Sequence, residues 1–246
     1  MSQVQFQAPP ITKVNKIILI IAGSLFLISS IMKAVGAFAP VAYIGLSAHG
    51  LFMGLVYQLV TYPLIETQLL SFLFNSLVVW FIGSELESQW GPKVYLRFLL
   101  VTVALVGIIY SLVSLIFFFG TPFYSTPIHG LSGVNFALLI AYASLFPDRQ
   151  MSMMMIFPMR ARTFCYILAG MEAYMAIFSS LATAWAHLLA MGISFLIIYF
   201  QTNPIIKKVL NSAGPTFGWQ SKSKRSGKKH LYVVKDEESK PPKYWQ

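Results

Sequence analysis

Charge is what this chain has least of. Only 11% of its 246 residues are charged and eight are acidic, whereas a soluble domain carries about 25% charged residues. A surface so poor in charge is not wetted all round, and lipid becomes the expected main solvent. Cysteine occurs once, at Cys165, which excludes a disulfide within the chain. There is no closely spaced Cys/His set and no glycine-rich phosphate loop, so neither a metal nor a cofactor is expected. Arginine is missing from the N-terminal leader, which argues against a mitochondrial transit peptide.

Apolar sequence is what the chain has instead: 57% hydrophobic residues and a mean hydropathy of +0.67. A spanning helix needs about 20 mostly apolar residues, and about six stretches qualify. They lie near 17–38, 63–83, 94–118, 132–146, 163–179 and 183–201. Pro63 suits the first turn of the second helix, Pro147-Asp148 ends the fourth and Asn203-Pro204 ends the sixth. The expectation is an all-α, multi-pass membrane bundle over 15–202. It is preceded by a leader over 1–14 and followed by a basic tail over 203–246, expected to be disordered. Ala37-Phe38-Ala39 imitates a signal-peptide cleavage site, but Pro40 would follow the cut, so the first apolar run is read as a retained helix. Between Phe38 and Tyr62, glycines alternate with large apolar residues, which suggests short pieces lying against the membrane.

The basic residues orient the bundle. With the N-terminus inside, cytoplasmic segments hold Lys13, Lys16, Lys93, Arg97, Arg149, Arg160, Arg162 and the tail, while the outer segments hold only Lys33. Both termini are therefore expected in the cytoplasm. Most of the formal net charge of +10 sits in the tail, where it reads as an orientation signal or a contact with membrane lipids, not as a nucleic-acid site. The Met151-Ser152-Met153-Met154-Met155 run reads as an apolar turn resting on headgroups.

Polar groups inside a bilayer need a reason. Gln68, Ser71 and Asn75 are spaced to share one face of the second helix. Hydrogen bonds that glue helices together are the default account of such a stripe. The fourth segment opens with His129-Gly130-Leu131-Ser132-Gly133. There the free backbone N–H groups and the positive end of the helix dipole can stabilise an oxyanion; alternatively, Ser132 simply caps the helix. The sixth segment carries Ala186-His187-Leu188. From Ser132 to Phe146 a helix rises about 21 Å, and from His187 to Phe200 about 20 Å. Both residues then lie about 10 Å below the outer edge of a ~30 Å core, at one level. Ala186, Ala190 and Ser194 form a small-residue ridge that permits close helix approach, and Phe136 stands one turn beyond Ser132, where its ring can pack on the imidazole.

In order, these motifs resemble the rhomboid family of intramembrane serine proteases over about residues 15–202. The matching features are the Gly-x-Ser-Gly string at 130–133, the Ala186-His187 pair, Leu73-Phe74-Asn75, and Gly83 with Glu87-Ser88-Gln89-Trp90-Gly91 as a helix end and connection. The resemblance implies a six-helix bundle in which Ser132 is the nucleophile and His187 the general base and acid. It places the oxyanion on Asn75 and the backbone of Leu131 and Ser132, with Ser71 as a further candidate donor and Gly130, Gly133 and Phe136 in support. It implies transmembrane protein substrates and makes the fifth helix and the 179–184 connection a gate. The chain departs from the family pattern at Ser71, Tyr62 and Glu66, where histidines are common, at Tyr57-Gln58, where a Trp-Arg pair is common, and at Trp185, where glycine is common. Losing one oxyanion donor lowers serine-protease rates by about 10²–10³-fold. His129 is close enough in sequence to substitute, although an ordinary loop histidine is the favoured account.

Two other functions fit parts of the sequence. One is a rhomboid-like pseudoprotease that binds membrane clients; keeping both serine and histidine argues against it. The other is a small transporter, for which Glu172 would be the buried charge. Glu66 and Glu85 fall near expected helix ends and need no such role. The compact layout without a transit peptide suggests a bacterial inner membrane.

Overall fold

The computed structural model describes residues 10–36, 38–148, 150–151, 159–178 and 181–202. The basic tail, most of the leader and the methionine run after Met151 lie outside them. The described chain is helical apart from a short antiparallel ladder, β1 (Gln150–Met151) with β2 (Met159–Arg160).

Helix α1 (Lys13–Ala34) shows how such a chain is solvated. Its buried residues are Asn15, Ala22 and Ser29, one every seven, while Ile17, Leu27 and Ile31 point outward. Small and polar groups face inward and large aliphatic groups face outward, the reverse of a soluble helix and suited to lipid. Among the described residues, α1, the helix Leu69–Trp90 and α7 (Pro92–Phe117) are long and apolar enough to cross a membrane. Ser132–Leu145 (α9) and the core of α11 (Leu181–Thr202) are shorter apolar helices, and α10 (Ala161–Phe178) precedes α11.

The 38–62 region folds into short pieces, α2 (Val41–Ile44), α3 (Ala48–Phe52) and α4 (Gln58–Thr61). Phe38, Tyr43, Phe52, Met53 and Val56 remain exposed on it. Gln58, fully buried, staples the region: its Nε2 donates to the Tyr43 carbonyl at 3.0 Å and its Oε1 accepts from the Ser47 N–H at 3.5 Å. Leu46 and Ile128 exchange backbone hydrogen bonds of 2.9 and 2.8 Å, tying this region to the segment that enters α9.

The second spanning helix differs from expectation at both ends. Pro63 lies in a 3-10 turn, Tyr62–Leu64, and residues 65–68 are non-helical, with Ile65 and Gln68 extended, before α5 (Leu69–Val78) begins. Gln68 is therefore the N-cap and is exposed, so it does not share an inward face with Asn75. At the other end Gly83 does not stop the helix. The chain passes through a π-helical stretch, Val79–Gly83, into α6 (Ser84–Trp90), and ends at Gly91, whose φ of 80° suits glycine. Gly83 is needed for space: a Cβ there would sit 2.6 Å from the Tyr95 hydroxyl and 2.9 Å from Asn15 Oδ1.

Helix α9 lies at the centre, with Ala137, Leu138 and Ala141 fully buried. It starts at Ser132 and ends before Pro147, as the sequence suggests; the expected stop of the last helix at Asn203-Pro204 lies outside the described residues.

Candidate active site

The approach to α9 is built by backbone chemistry. Gly130 has φ 103°, a conformation that L side chains rarely adopt, and its N–H donates to the Tyr62 carbonyl at 3.0 Å. Leu131 follows, buried, and Ser132 is the first residue of the helix. Ser132 is thus not the cap. Its half-buried side chain accepts a hydrogen bond from Asn75 Nδ2 at 3.1 Å.

His187 reaches the same turn from α11. A Cβ on Gly133 would lie 3.8 Å from His187 Cδ2 and 4.0 Å from Ala190 Cβ, so the imidazole rests against the residue next to Ser132. The Phe136 ring stands 5.3 Å from the imidazole, centroid to centroid, tilted by 44°. Further along, Ser194 Oγ donates to the Ala137 carbonyl at 2.6 Å. Pairing of 133 with 187 and 190, then of 137 with 194, means that the two helices run parallel and in register. Ala186, Ala190 and Ser194, all buried, form the seam. His187 therefore stands at the height of the first turn of α9, which is the relative placement that counting helical rise suggests.

Asn75 is held from three sides. Its Nδ2 donates to Glu66 Oε1 at 2.8 Å as well as to Ser132 Oγ, while Asn135 Nδ2 donates to its Oδ1 at 2.8 Å and its carbonyl at 3.1 Å. Flipping the Asn135 amide would set its oxygen against two acceptors, so the network fixes its orientation. Glu66 Oε1 also accepts from the Leu131 N–H at 2.9 Å. Hence a backbone donor assigned to the oxyanion by resemblance already serves a carboxyl group. Ser71, one turn before Asn75, hydrogen-bonds Gln68 Oε1 at 3.4 Å. His129 is half-buried at the entry to the Gly130 turn. The 179–180 connection lies outside the described residues, as do the side chains of Glu172 and Cys165.

Glu66 and Asn135 are the site neighbours that sequence reasoning missed. Glu66 had a signal, an acidic residue inside an apolar stretch. Starting the helix at Pro63 placed it in a first turn, where an acid needs no further account. Asn135 sits one turn beyond Leu131 on α9, 4% exposed, and the same rule flags it.

Residues 16–221 match the sequence model of the eukaryotic integral membrane protein family DUF1751. The chain belongs to that family. It is an integral membrane protein, as its apolar helices and lipid-suited exterior already indicate. DUF1751 is a family of eukaryotic proteins, so the bacterial inner membrane expected from the compact layout is not supported. No curated protein matches the chain.

Proposed function

We propose that this member of DUF1751 is a rhomboid-type intramembrane serine protease, a six-span bundle with both termini in the cytoplasm that cleaves transmembrane protein substrates. The observation that carries the reading is the parallel register of α9 and α11, which sets the His187 ring against the first turn of the helix that Ser132 opens. In this mechanism Ser132 Oγ attacks the scissile carbonyl and passes its proton to His187. The new oxyanion takes hydrogen bonds from the Ser132 N–H and from the Asn75 Nδ2–H that points at Ser132 Oγ in the resting state. Collapse of the intermediate breaks the peptide bond, and His187 returns the proton to the leaving amine. Water then hydrolyses the acyl-enzyme with His187 again as base. The Phe136 ring supports the imidazole, and Asn135 holds Asn75, in a set that has no carboxylate behind the histidine.

A pseudoprotease that binds membrane clients is the second reading. Its support is the Leu131 N–H and one Asn75 N–H already engaged by Glu66, which leaves fewer donors for an oxyanion. The two readings separate in liposomes containing full-length wild type or Ser132→Ala and a panel of single-pass segments with small residues and helix breakers. Cleavage, and fluorophosphonate labelling, by wild type alone is the expected result, with His187→Ala also at least 10³-fold slower. Equal cleavage by both sinks Ser132 as nucleophile. Binding of segments without cleavage or labelling by wild type favours the client-binding reading.

A further inference from the structure

Glu66 is a polar side chain of the Ser132 network that the mechanism above does not use. It is 4% exposed and anchored by Ile65, which is fully buried. Its Oε1 takes two hydrogen bonds, from Asn75 Nδ2 at 2.8 Å and from the Leu131 N–H at 2.9 Å. Gly130 presses against the same group: a Cβ there would lie 3.1 and 3.3 Å from the two carboxyl oxygens. The 3-10 turn that leads into Glu66 also supplies the Tyr62 carbonyl that receives the Gly130 N–H at 3.0 Å. One short stretch of chain therefore grips two successive backbone N–H groups immediately before Ser132, and grips Asn75 besides.

We propose that Glu66 is a positioning residue for the oxyanion donors. Resting on the protease reading, this assigns the carboxyl group two tasks. The first concerns Asn75. Its amide has two N–H bonds; engaging one with Glu66 Oε1 fixes the side-chain torsion so that the other points at Ser132. Asn135 holds the amide oxygen from the opposite side, so the amide cannot turn over. The second task concerns the backbone. Acceptance from Leu131 N, together with the Tyr62–Gly130 bond, sets the peptide planes that lead into Ser132, and thus the direction of the Ser132 N–H. Glu66 touches neither substrate nor nucleophile in this scheme. It acts through Asn75 and the Gly130–Leu131 turn, and what it supplies is an acceptor oxygen in a fixed place.

The experiment uses the full chain in liposomes, with cleavage of a single-pass segment and fluorophosphonate labelling of Ser132 read in parallel. Glu66→Gln keeps an acceptor at Oε1, and its kcat should stay within about twofold of wild type. Glu66→Leu removes the acceptor. Its kcat should fall about 10²-fold with KM unchanged, the loss that follows a misplacement of about 1 Å in a catalytic group. In an Asn75→Ala background the same Glu66→Leu change should cost much less, because one of the groups it positions is gone. Should Glu66→Leu fail to fold, Glu66→Asp withdraws the acceptor by one methylene, and its kcat should fall about tenfold.

The assignment is overturned by wild-type kcat in Glu66→Leu or Glu66→Asp, or by Glu66→Gln falling as far as Glu66→Leu. Equal losses with and without Asn75 overturn it too. A wild type that neither cleaves nor labels fails differently: it removes the protease reading, and this assignment with it.

Discussion

Two buried carboxyl groups do the same local work in this molecule and lead to different ends. Glu87, on α6, meets the first turn of α1: it accepts from the Thr12 hydroxyl, from Val14 N at 3.1 Å, from Asn15 N at 3.2 Å and from Asn15 Nδ2 at 3.2 Å. Glu66 meets the entry to α9, accepting from Leu131 N and Asn75 Nδ2. Each is 4% exposed, and each satisfies N–H groups that a helix start leaves without intrahelical partners. Around Glu87 the network closes on itself. Tyr95 donates to Asn15 Oδ1 at 2.7 Å, and Gly83 leaves room for both. Around Glu66 it ends on Ser132, half-buried, with an imidazole one residue away. A carboxyl group on helix-start amides is a structural device in itself. What sets the second apart is a nucleophile at its open end.

That contrast is sharpest in a paired substitution. Glu87→Leu strands several buried donors, each costing about 1–3 kcal/mol, and since the first turn of α1 can recover some of them with water the net loss should be about 3 kcal/mol. Unfolding in mixed micelles should show it, while cleavage per folded molecule stays at the wild-type value. A Glu87→Leu protein of unchanged stability and reduced kcat would mean that the two networks communicate, and would dissolve the distinction between them.

The glycines beside Ser132 differ as the carboxyl groups do. At Gly130 a side chain meets both a positive φ and the Glu66 carboxyl group at 3.1 Å. Gly130→Ala should therefore lose about 2 kcal/mol of stability and, by shifting Leu131 and Ser132, about 10²-fold in kcat. At Gly133 the added Cβ finds only ordinary contacts of 3.8 and 4.0 Å. Gly133→Ala should be neutral or stabilise by up to about 1 kcal/mol, since alanine is the better helix former. Similar kcat values for the two variants would show that the Gly130 turn does not govern Ser132.

What could be read from the sequence divides along physical lines. The start of α9 was legible from the glycine-rich string before it, and the meeting of His187 with its first turn because helical rise is constant, so residue counts convert to relative height along two helices. The ridge of Ala186, Ala190 and Ser194 was legible because small residues at four-residue spacing have one structural use. The second helix was misread because proline at a first helical turn and proline in a 3-10 turn look alike in sequence. That error moved Gln68 into a helix it only caps and hid Glu66 in a first turn it does not occupy. Gly83 looked like a helix stop because a glycine that makes room for Asn15 and Tyr95 cannot be told from one that ends a helix until the partners are seen. The orientation of Asn75 was out of reach for a similar reason: it depends on Asn135, sixty residues away.

The smallest effect tests what holds Ser132 and His187 in register. Ser194 Oγ donates to the Ala137 carbonyl at 2.6 Å across the seam and is fully buried, which makes it look like the fastener between α9 and α11. Interhelical hydrogen bonds in membranes nevertheless average only about 0.6 kcal/mol. Ala137, in the middle of α9, can keep its carbonyl in the helical ladder after the hydroxyl is gone. Ser194→Ala also puts a methyl group where a hydroxyl was, on a ridge whose fit depends on small size. The expected cost is therefore about 0.6 kcal/mol in micelle unfolding, with kcat unchanged. A loss above about 2 kcal/mol, or a fall in kcat, would mean that one hydrogen bond sets the register. The expected result leaves that task to the packing of Ala186 and Ala190, the same contact that sets His187 beside the turn carrying Ser132.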